Sequence, residues 1–180
     1  VDDLEAVLGQ LDAPPAVVGA SLGGLTGLCA SGLRKLPLSA LVLVDIAPRM
    51  EVLGVERIVE FMGRYSEGFA SIDEVADAVA AYQPHRKRPR DFEGLKKNLR
   101  QRDGRWYWHW DPKILDVIFE PSSSEDFDDT ERAAQELRAP TLLVRGALSD
   151  LLSEEGAQDF LRMVPHAKMV DVSGAAHMVA

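Results

Sequence analysis

The sequence has few of the features that define several large classes of protein. Its 180 residues contain one cysteine, Cys29, which excludes an internal disulfide framework and favours a reducing compartment. Its apolar runs are all shorter than the roughly 20 residues of a membrane-spanning helix. A basic start followed by an apolar stretch, typical of a signal peptide, is also missing. We therefore expect a soluble, cytoplasmic domain that has no membrane partner.

Motifs for bound metals and nucleotides are also missing. The histidines, acidic residues and single cysteine show no metal-ligand spacing. The glycine-rich segment Gly19–Gly24 lacks the dinucleotide fingerprint and a suitably placed acidic residue after a second strand. The sequence therefore predicts neither a metal nor a cofactor.

Positive charge is scarce overall but concentrated in one stretch. The net charge is −9, yet His85–Arg105 contains nine basic and three acidic residues. A basic stretch is one sign of a nucleic-acid surface. Here Phe92, Leu95 and Leu99 recur at helical spacing among the charges, so we interpret Arg90–Arg102 as a solvated helix face. We predict no nucleic-acid partner.

What the chain does have is enough apolar sequence for a core, since 46% of its residues are hydrophobic. Four short apolar runs without strict polar alternation indicate parallel strands covered on both faces. These runs are Ala16–Ala20, Leu41–Ile46, Thr141–Arg145 and Lys168–Val172. Helical patterns alternate with them, at Val1–Leu11, Leu22–Leu33 and Ser153–Met163. The sequence therefore predicts an α/β fold with a mostly parallel sheet flanked by helices.

One long segment interrupts this alternation. From Pro48 to Asp128 we find helical patterns, such as Val55–Tyr65 and Asp73–Tyr82, and no convincing central strand. We interpret residues 48–128 as a helical insertion between two parts of a core, 1–47 and 129–180. Such an insertion is expected above the carboxyl ends of the strands, where open α/β sheets bind ligands.

The segment Gly19-Ala20-Ser21-Leu22-Gly23-Gly24 lies where the first apolar run meets a helical pattern. A serine between two glycines at a strand-to-helix turn is typical of a nucleophile elbow, which presents the hydroxyl at the sheet edge. Small neighbours are needed because the turn brings strand and helix close together. Ser21 is therefore the candidate nucleophile.

A serine nucleophile needs a base and a group that orients the base. Of four histidines, His177 is the candidate base, because it follows the last predicted strand in a loop of small residues. The acid should lie at the end of another strand. We prefer Asp150, just past the third run, over Asp45, which ends the second run. A helix cap is the alternative role of Asp150.

These segments, in the order Ser21, Asp150, His177, resemble the α/β-hydrolase fold superfamily. The likeness covers nearly the whole chain, and residues 48–128 resemble the family's cap. It is greatest to haloperoxidase-like and epoxide-hydrolase-like members. Epoxide hydrolases and haloalkane dehalogenases of this fold use aspartate as the nucleophile, so Ser21 argues for acyl transfer to water instead. The resemblance implies an acyl-enzyme mechanism, with the backbone N–H of Leu22 in the oxyanion hole.

The substrate expected from this resemblance is a small ester, thioester or lactone, or a molecule with an activated carbon–carbon bond. Four aromatic residues of the insertion are candidates for the pocket wall, although packing within a cap explains them equally well. They are Trp106, Trp108, Trp110 and Phe119. Two alternatives stay open: cofactor-free perhydrolysis by the same triad, and a ligand-binding protein of the same fold.

The chain departs from the family's pattern near its beginning. In the family a loop well upstream of the elbow supplies the second oxyanion donor, but only 20 residues precede Ser21 here. A closing helix is also expected after His177, and three residues follow it. We therefore expect this sequence to be a fragment with an exposed sheet edge, whose activity by itself is uncertain.

Overall fold

The computed structural model describes residues 1–115 and 124–179. In chain order its elements are α1 Asp2–Leu8, β1 Ala16–Ala20, α2 Leu22–Gly32, β2 Ala40–Val44, α3 Val52–Arg64, α4 Ile72–Tyr82, α5 Glu93–Lys96, β3 Leu99–Arg102, β4 Arg105–Trp108, α6 Ser124–Gln135, β5 Thr141–Gly146, α7 Glu154–Met163 and β6 Lys168–Val172.

The main sheet has four parallel strands in the order β1-β2-β5-β6. Val18 lies opposite Val42, and Leu43 lies opposite Leu143 on the next strand. The four apolar runs of the sequence are these four strands, with ends shifted by no more than two residues. The predicted α/β fold with a mostly parallel sheet is therefore confirmed. All four strands end at the same edge, so the residues that follow β1, β2, β5 and β6 are brought together.

The helices cover this sheet with small or apolar side chains. In α2, a side chain at Gly27 would come within 2.9 Å of Leu41 Cδ1, so the glycine lets the helix lie close to β2. In α7, Ala157 and Phe160 are fully buried. Ser153 starts α7 by accepting a hydrogen bond from Gly156 N at 3.1 Å. Full burial of a side chain such as Phe160 contributes about 1.5–3 kcal/mol to stability.

The chain divides into two compact units. The first contains Val1–Val55 and Ser122–Ala180, and the second contains Glu56–Pro121. The first unit holds the parallel sheet, and the second lies wholly within the predicted insertion, 48–128. The insertion boundaries and its placement above the strand ends stay predictions.

The second unit contains a β-hairpin that the sequence interpretation missed. Leu99–Arg102 is β3, paired antiparallel with β4, so the predicted helix over Arg90–Arg102 is wrong; its helical part is only α5, Glu93–Lys96. Asp103 and Gly104, with φ of 50° and 77°, form the turn between the strands. An Asp-Gly pair favours this tight two-residue turn, and it was the signal in the sequence that should have predicted the hairpin.

The core of the second unit is aromatic. Phe69, 1% exposed, is stacked on Tyr65 with ring centroids 4.5 Å apart and meets Trp108 edge-on at 5.3 Å. Val75 of α4 is also fully buried in this cluster. Such aromatic contacts add about 0.5–1.5 kcal/mol each beyond area burial. The second unit therefore has a core of its own.

Several charges of the basic stretch are paired. Arg88 forms ion pairs with Asp73 at 3.1 Å and Asp77 at 2.6 Å. Lys96 pairs with Glu93 at 2.6 Å. These carboxylates offset part of the positive charge of the basic stretch. The absence of a nucleic-acid partner stays a prediction.

No helix in residues 1–115 and 124–179 has both the length and the apolar composition needed to cross a membrane.

Candidate active site

Ser21 occupies the sharp turn between β1 and α2. Its φ of 49° and ψ of −125° are unusual for a residue with a side chain. Such a conformation costs of the order of 1–3 kcal/mol and persists only where the surroundings impose it. Here the Ser21 N–H donates to the carbonyl of Val44 at 3.2 Å, and its carbonyl accepts from the N–H groups of Gly24 and Leu25 at 2.8 and 3.2 Å. This strained strand–turn–helix geometry is that of a nucleophile elbow.

Two glycines make this turn possible. A Cβ atom on Gly19 would lie 2.4 Å from the carbonyl oxygen of Gly23, and one on Gly24 would lie 2.4 Å from Ile46 Cγ2. A Cβ atom on Gly23 would instead meet nothing within 4 Å. The close approach of β1, α2 and the residue after Asp45 therefore requires glycine at positions 19 and 24, and leaves position 23 open.

Asp45 comes directly after β2 and is the most constrained side chain at this edge of the sheet. It is fully buried, with 0% exposure, and its backbone has a φ of 51°. Its Oδ1 accepts a hydrogen bond from Gly146 N at 2.7 Å. Its Oδ2 accepts from Ser149 Oγ at 2.5 Å and lies 2.9 Å from His177 Nδ1. Three donors thus surround a carboxylate that would otherwise be costly to bury.

The structure brings His177 to this carboxylate from the loop that follows β6. The His177 side chain is 12% exposed. The loop is held to the end of β5, because Leu148 N donates to Ala175 O at 2.8 Å. A Cβ atom on Gly146 would lie 2.3 Å from Ala176 O. Gly146 therefore supports both groups: its N–H binds Asp45, and its missing side chain leaves room for the histidine loop.

The structure favours Asp45 over Asp150 as the acid, and the role of either residue stays a prediction. The carboxylate bonded to His177 belongs to Asp45, which we ranked second, whereas Asp150 stands at an exposed position four residues beyond β5. The strands β2 and β5, which precede Asp45 and Asp150, end at the same edge of the sheet. The sequence alone therefore left both aspartates as candidates for the acid. A charge inside the apolar run Leu41–Ile46 was the signal that favoured Asp45, because an aspartate is rarely fully buried unless it has partners.

Leu22 is the first residue of α2, and its N–H is therefore not used by an intrahelical hydrogen bond. The helix dipole adds partial positive charge at this end. Leu22 itself is 57% exposed. An oxyanion role for this N–H agrees with that geometry and stays a prediction.

Other nucleophilic or basic candidates are less suited to catalysis. Burial, reinforced by the charge of Asp129, raises the pKa of the Cys29 thiol, which disfavours the reactive thiolate. His166 Nε2 lies 3.1 Å from the carbonyl oxygen of Ala139, so its ring is used to join two loops. His109 is exposed and contacts Trp110 edge-on.

The predicted tryptophans pack within the second unit. Trp106 and Phe69 exchange two backbone hydrogen bonds of 2.7 and 2.9 Å. Trp110 is stacked on Trp108, with ring centroids 4.8 Å apart. These contacts support a packing role, and substrate contact by the three tryptophans stays a prediction. Phe119 lies outside the described residues.

In residues 1–115 and 124–179, no group of three or more histidine, cysteine, aspartate or glutamate side chains is arranged to hold a metal ion.

Comparison with known proteins shows the family of the chain. Residues 1–180 match the model of the alpha/beta hydrolase family, and the chain belongs to that family. Its fold is also that of E-2-(acetamidomethylene)succinate hydrolase, with a TM-score of 0.82 and 22% identity over 99% of this chain and 65% of the other.

Two curated relatives match over most of the chain. It is 31% identical to the 3-hydroxybutyrate-oligomer hydrolase of Cupriavidus necator over 88% of this chain. It is 30% identical to an esterase of Mycobacterium tuberculosis over 95% of this chain. In each case the chain spans only 57% of the relative's length.

Proposed function

We propose that the protein hydrolyses carboxylic esters through an acyl-enzyme, with Ser21 as nucleophile, His177 as base and Asp45 as the acid that orients it. The observation that carries the proposal is the 2.9 Å contact between Asp45 Oδ2 and His177 Nδ1. A carboxylate on one ring nitrogen fixes the tautomer that leaves the other, Nε2, free to accept a proton. The strained elbow supplies the nucleophile at the same edge of the sheet.

The reaction has two steps. His177 takes the proton of the Ser21 hydroxyl as its oxygen attacks the ester carbonyl, and the imidazolium then gives that proton to the leaving alcohol. Water, deprotonated by His177, then attacks the acyl-serine; the bond between the acyl carbon and Ser21 Oγ breaks, the imidazolium returns its proton to Oγ, and the carboxylic acid is released. Asp45 stabilises the imidazolium that forms in each step. The Leu22 N–H binds the developing oxyanion; such donors typically contribute about 100- to 1000-fold to the rate.

An ester substrate is the best-supported choice within the family. One relative is named as a hydrolase of 3-hydroxybutyrate oligomers and another as an esterase. The serine at the elbow supports acyl transfer rather than the alkyl transfer expected of an aspartate nucleophile. We propose short-chain esters as substrates, and thioesters and lactones as further members of the same class.

The proposal predicts that Ser21→Ala lowers kcat for p-nitrophenyl esters by about 10⁴-fold or more, since the nucleophile is lost. Fluorophosphonate labelling should disappear in the same variant. The assays use the whole natural polypeptide that contains residues 1–180. Ser39→Ala, which removes an exposed serine of the first unit, is the matched control and should keep both signals. Undiminished turnover in Ser21→Ala would disprove the proposal.

A further inference from the structure

Ser149 belongs to the loop after β5 and forms a hydrogen bond with Asp45, although the proposed mechanism gives Ser149 no role. Its hydroxyl oxygen lies 2.5 Å from Asp45 Oδ2, the same oxygen that contacts His177. The two residues are 104 positions apart in the chain, so this contact depends on the tertiary fold.

The direction of this hydrogen bond follows from the other partners of the hydroxyl. Ser149 Oγ accepts hydrogen bonds from the backbone N–H groups of Leu151 and Leu152, at 3.2 and 3.1 Å. A hydroxyl has two acceptor lone pairs and one proton. Because both lone pairs are used, the proton must point to Asp45 Oδ2. Ser149 is therefore a fixed donor to the carboxylate.

We propose that Ser149 is a positioning residue, which holds Asp45 Oδ2 in the orientation that binds the imidazole of His177. This inference rests on the proposed function. Without the hydroxyl, Oδ2 keeps only its contact with His177, and Gly146 N on Oδ1 remains as the donor from the end of β5, so the carboxylate is held less firmly. Ser149 contacts no reacting atom in this scheme, so it acts on the rate through Asp45.

The loop thus contributes to the site through Ser149 rather than through the neighbouring Asp150. Two of the three donors to Asp45, Gly146 N and Ser149 Oγ, come from residues 146–149. The end of β5 and the loop after it, from which the sequence predicted the acid Asp150, thus supply two hydrogen-bond donors to Asp45.

The test compares Ser149→Ala with Ser149→Thr in the whole polypeptide. Loss of a hydrogen bond to a charged group predicts a fall of about 10- to 100-fold in kcat, with KM little changed. Ser149→Thr keeps the hydroxyl and should restore most of the lost kcat. Ser153→Ala is the matched control, because that hydroxyl caps α7 and bonds Gly156 instead of the carboxylate. Ser149→Cys gives a second loss variant if the alanine variant is poorly folded.

Two further measurements separate positioning from a general loss of stability. In an Asp45→Asn background, Ser149→Ala should cause a smaller fall in kcat than in the wild type, because both changes act on one interaction. The downfield proton resonance of the His177 Nδ1–H bonded to Asp45 should shift or broaden in Ser149→Ala and stay unchanged in Ser153→Ala.

The inference is overturned if Ser149→Ala keeps the kcat of Ser153→Ala, or if the threonine variant is as slow as the alanine variant. These results differ from failure of the proposed function, in which Ser21→Ala would hydrolyse esters as fast as the wild type. The resonance reports the Asp45–His177 contact without any substrate, so it tests the inference whatever the substrate is.

Discussion

At the residue scale, the site depends on how completely the buried carboxylate of Asp45 is satisfied. An uncompensated buried charge is strongly destabilising, and here three donors surround the two oxygens. Two of them are fixed by β5 and its loop, and the third is His177. The same hydrogen bonds therefore satisfy the buried charge and, in the proposed mechanism, orient the imidazole of His177.

This assignment predicts different effects for two aspartate-to-asparagine changes. Asp45→Asn should lower kcat by about 10³- to 10⁴-fold, because an amide neither fixes the tautomer of His177 nor stabilises its charge. Asp150→Asn alters an exposed position and should keep most of the wild-type kcat. Ester turnover measures both, with circular dichroism as the check on folding. The reverse order of effects would restore Asp150 as the acid.

At the element scale, the elbow brings β1 and α2 closer together than side chains at positions 19 and 24 would permit. The contact distances at positions 19 and 24 show that the constraint belongs to particular residues and not to the glycine-rich segment as a whole. The strained φ of Ser21 persists because hydrogen bonds to Val44, Gly24 and Leu25 hold both sides of the turn.

Two glycine variants test this constraint. Gly19→Ala should lower the free energy of unfolding by about 1–3 kcal/mol or more, since its Cβ would lie 2.4 Å from a backbone oxygen that cannot turn away. Gly23→Ala has open space and replaces glycine within a helix, so it should be neutral or slightly stabilising. Urea unfolding, followed by circular dichroism, measures both. Equal destabilisation by the two changes would contradict the argument.

At the scale of the whole molecule, the chain forms two units with separate cores. The first surrounds the parallel sheet and contains all the proposed catalytic residues. The second is built around Phe69 and the aromatic side chains that contact it. Such units are expected to open as separate cooperative regions.

Hydrogen exchange followed by mass spectrometry tests this separation. Phe69→Ala should cost about 3–5 kcal/mol within the second unit and lower amide protection in α4 and β3–β4, while β2 and β5 stay protected. Phe160→Ala, which removes a fully buried ring of the first unit, should have the reciprocal pattern. Uniform loss of protection in either variant would show that the chain unfolds as one unit.

Local patterns were enough to predict most of the first unit. Buried parallel strands appear as short apolar runs because both faces are covered, and a serine between glycines marks the sharp turn after β1. The β3–β4 hairpin was also present as a local signal, the Asp103-Gly104 pair, which we overlooked because Phe92, Leu95 and Leu99 have helical spacing.

The sequence by itself determined the α/β sheet, the elbow at Ser21 and the candidacy of His177, because each depends on residues close together in the chain. Only the tertiary structure showed that Asp45 contacts His177 and that Ser149 contacts Asp45. Asp45 and His177 are 132 residues apart, and they meet because β2 and β6 belong to one parallel sheet and end at the same edge. No local pattern encodes this contact, since it arises from the pairing of β2, β5 and β6.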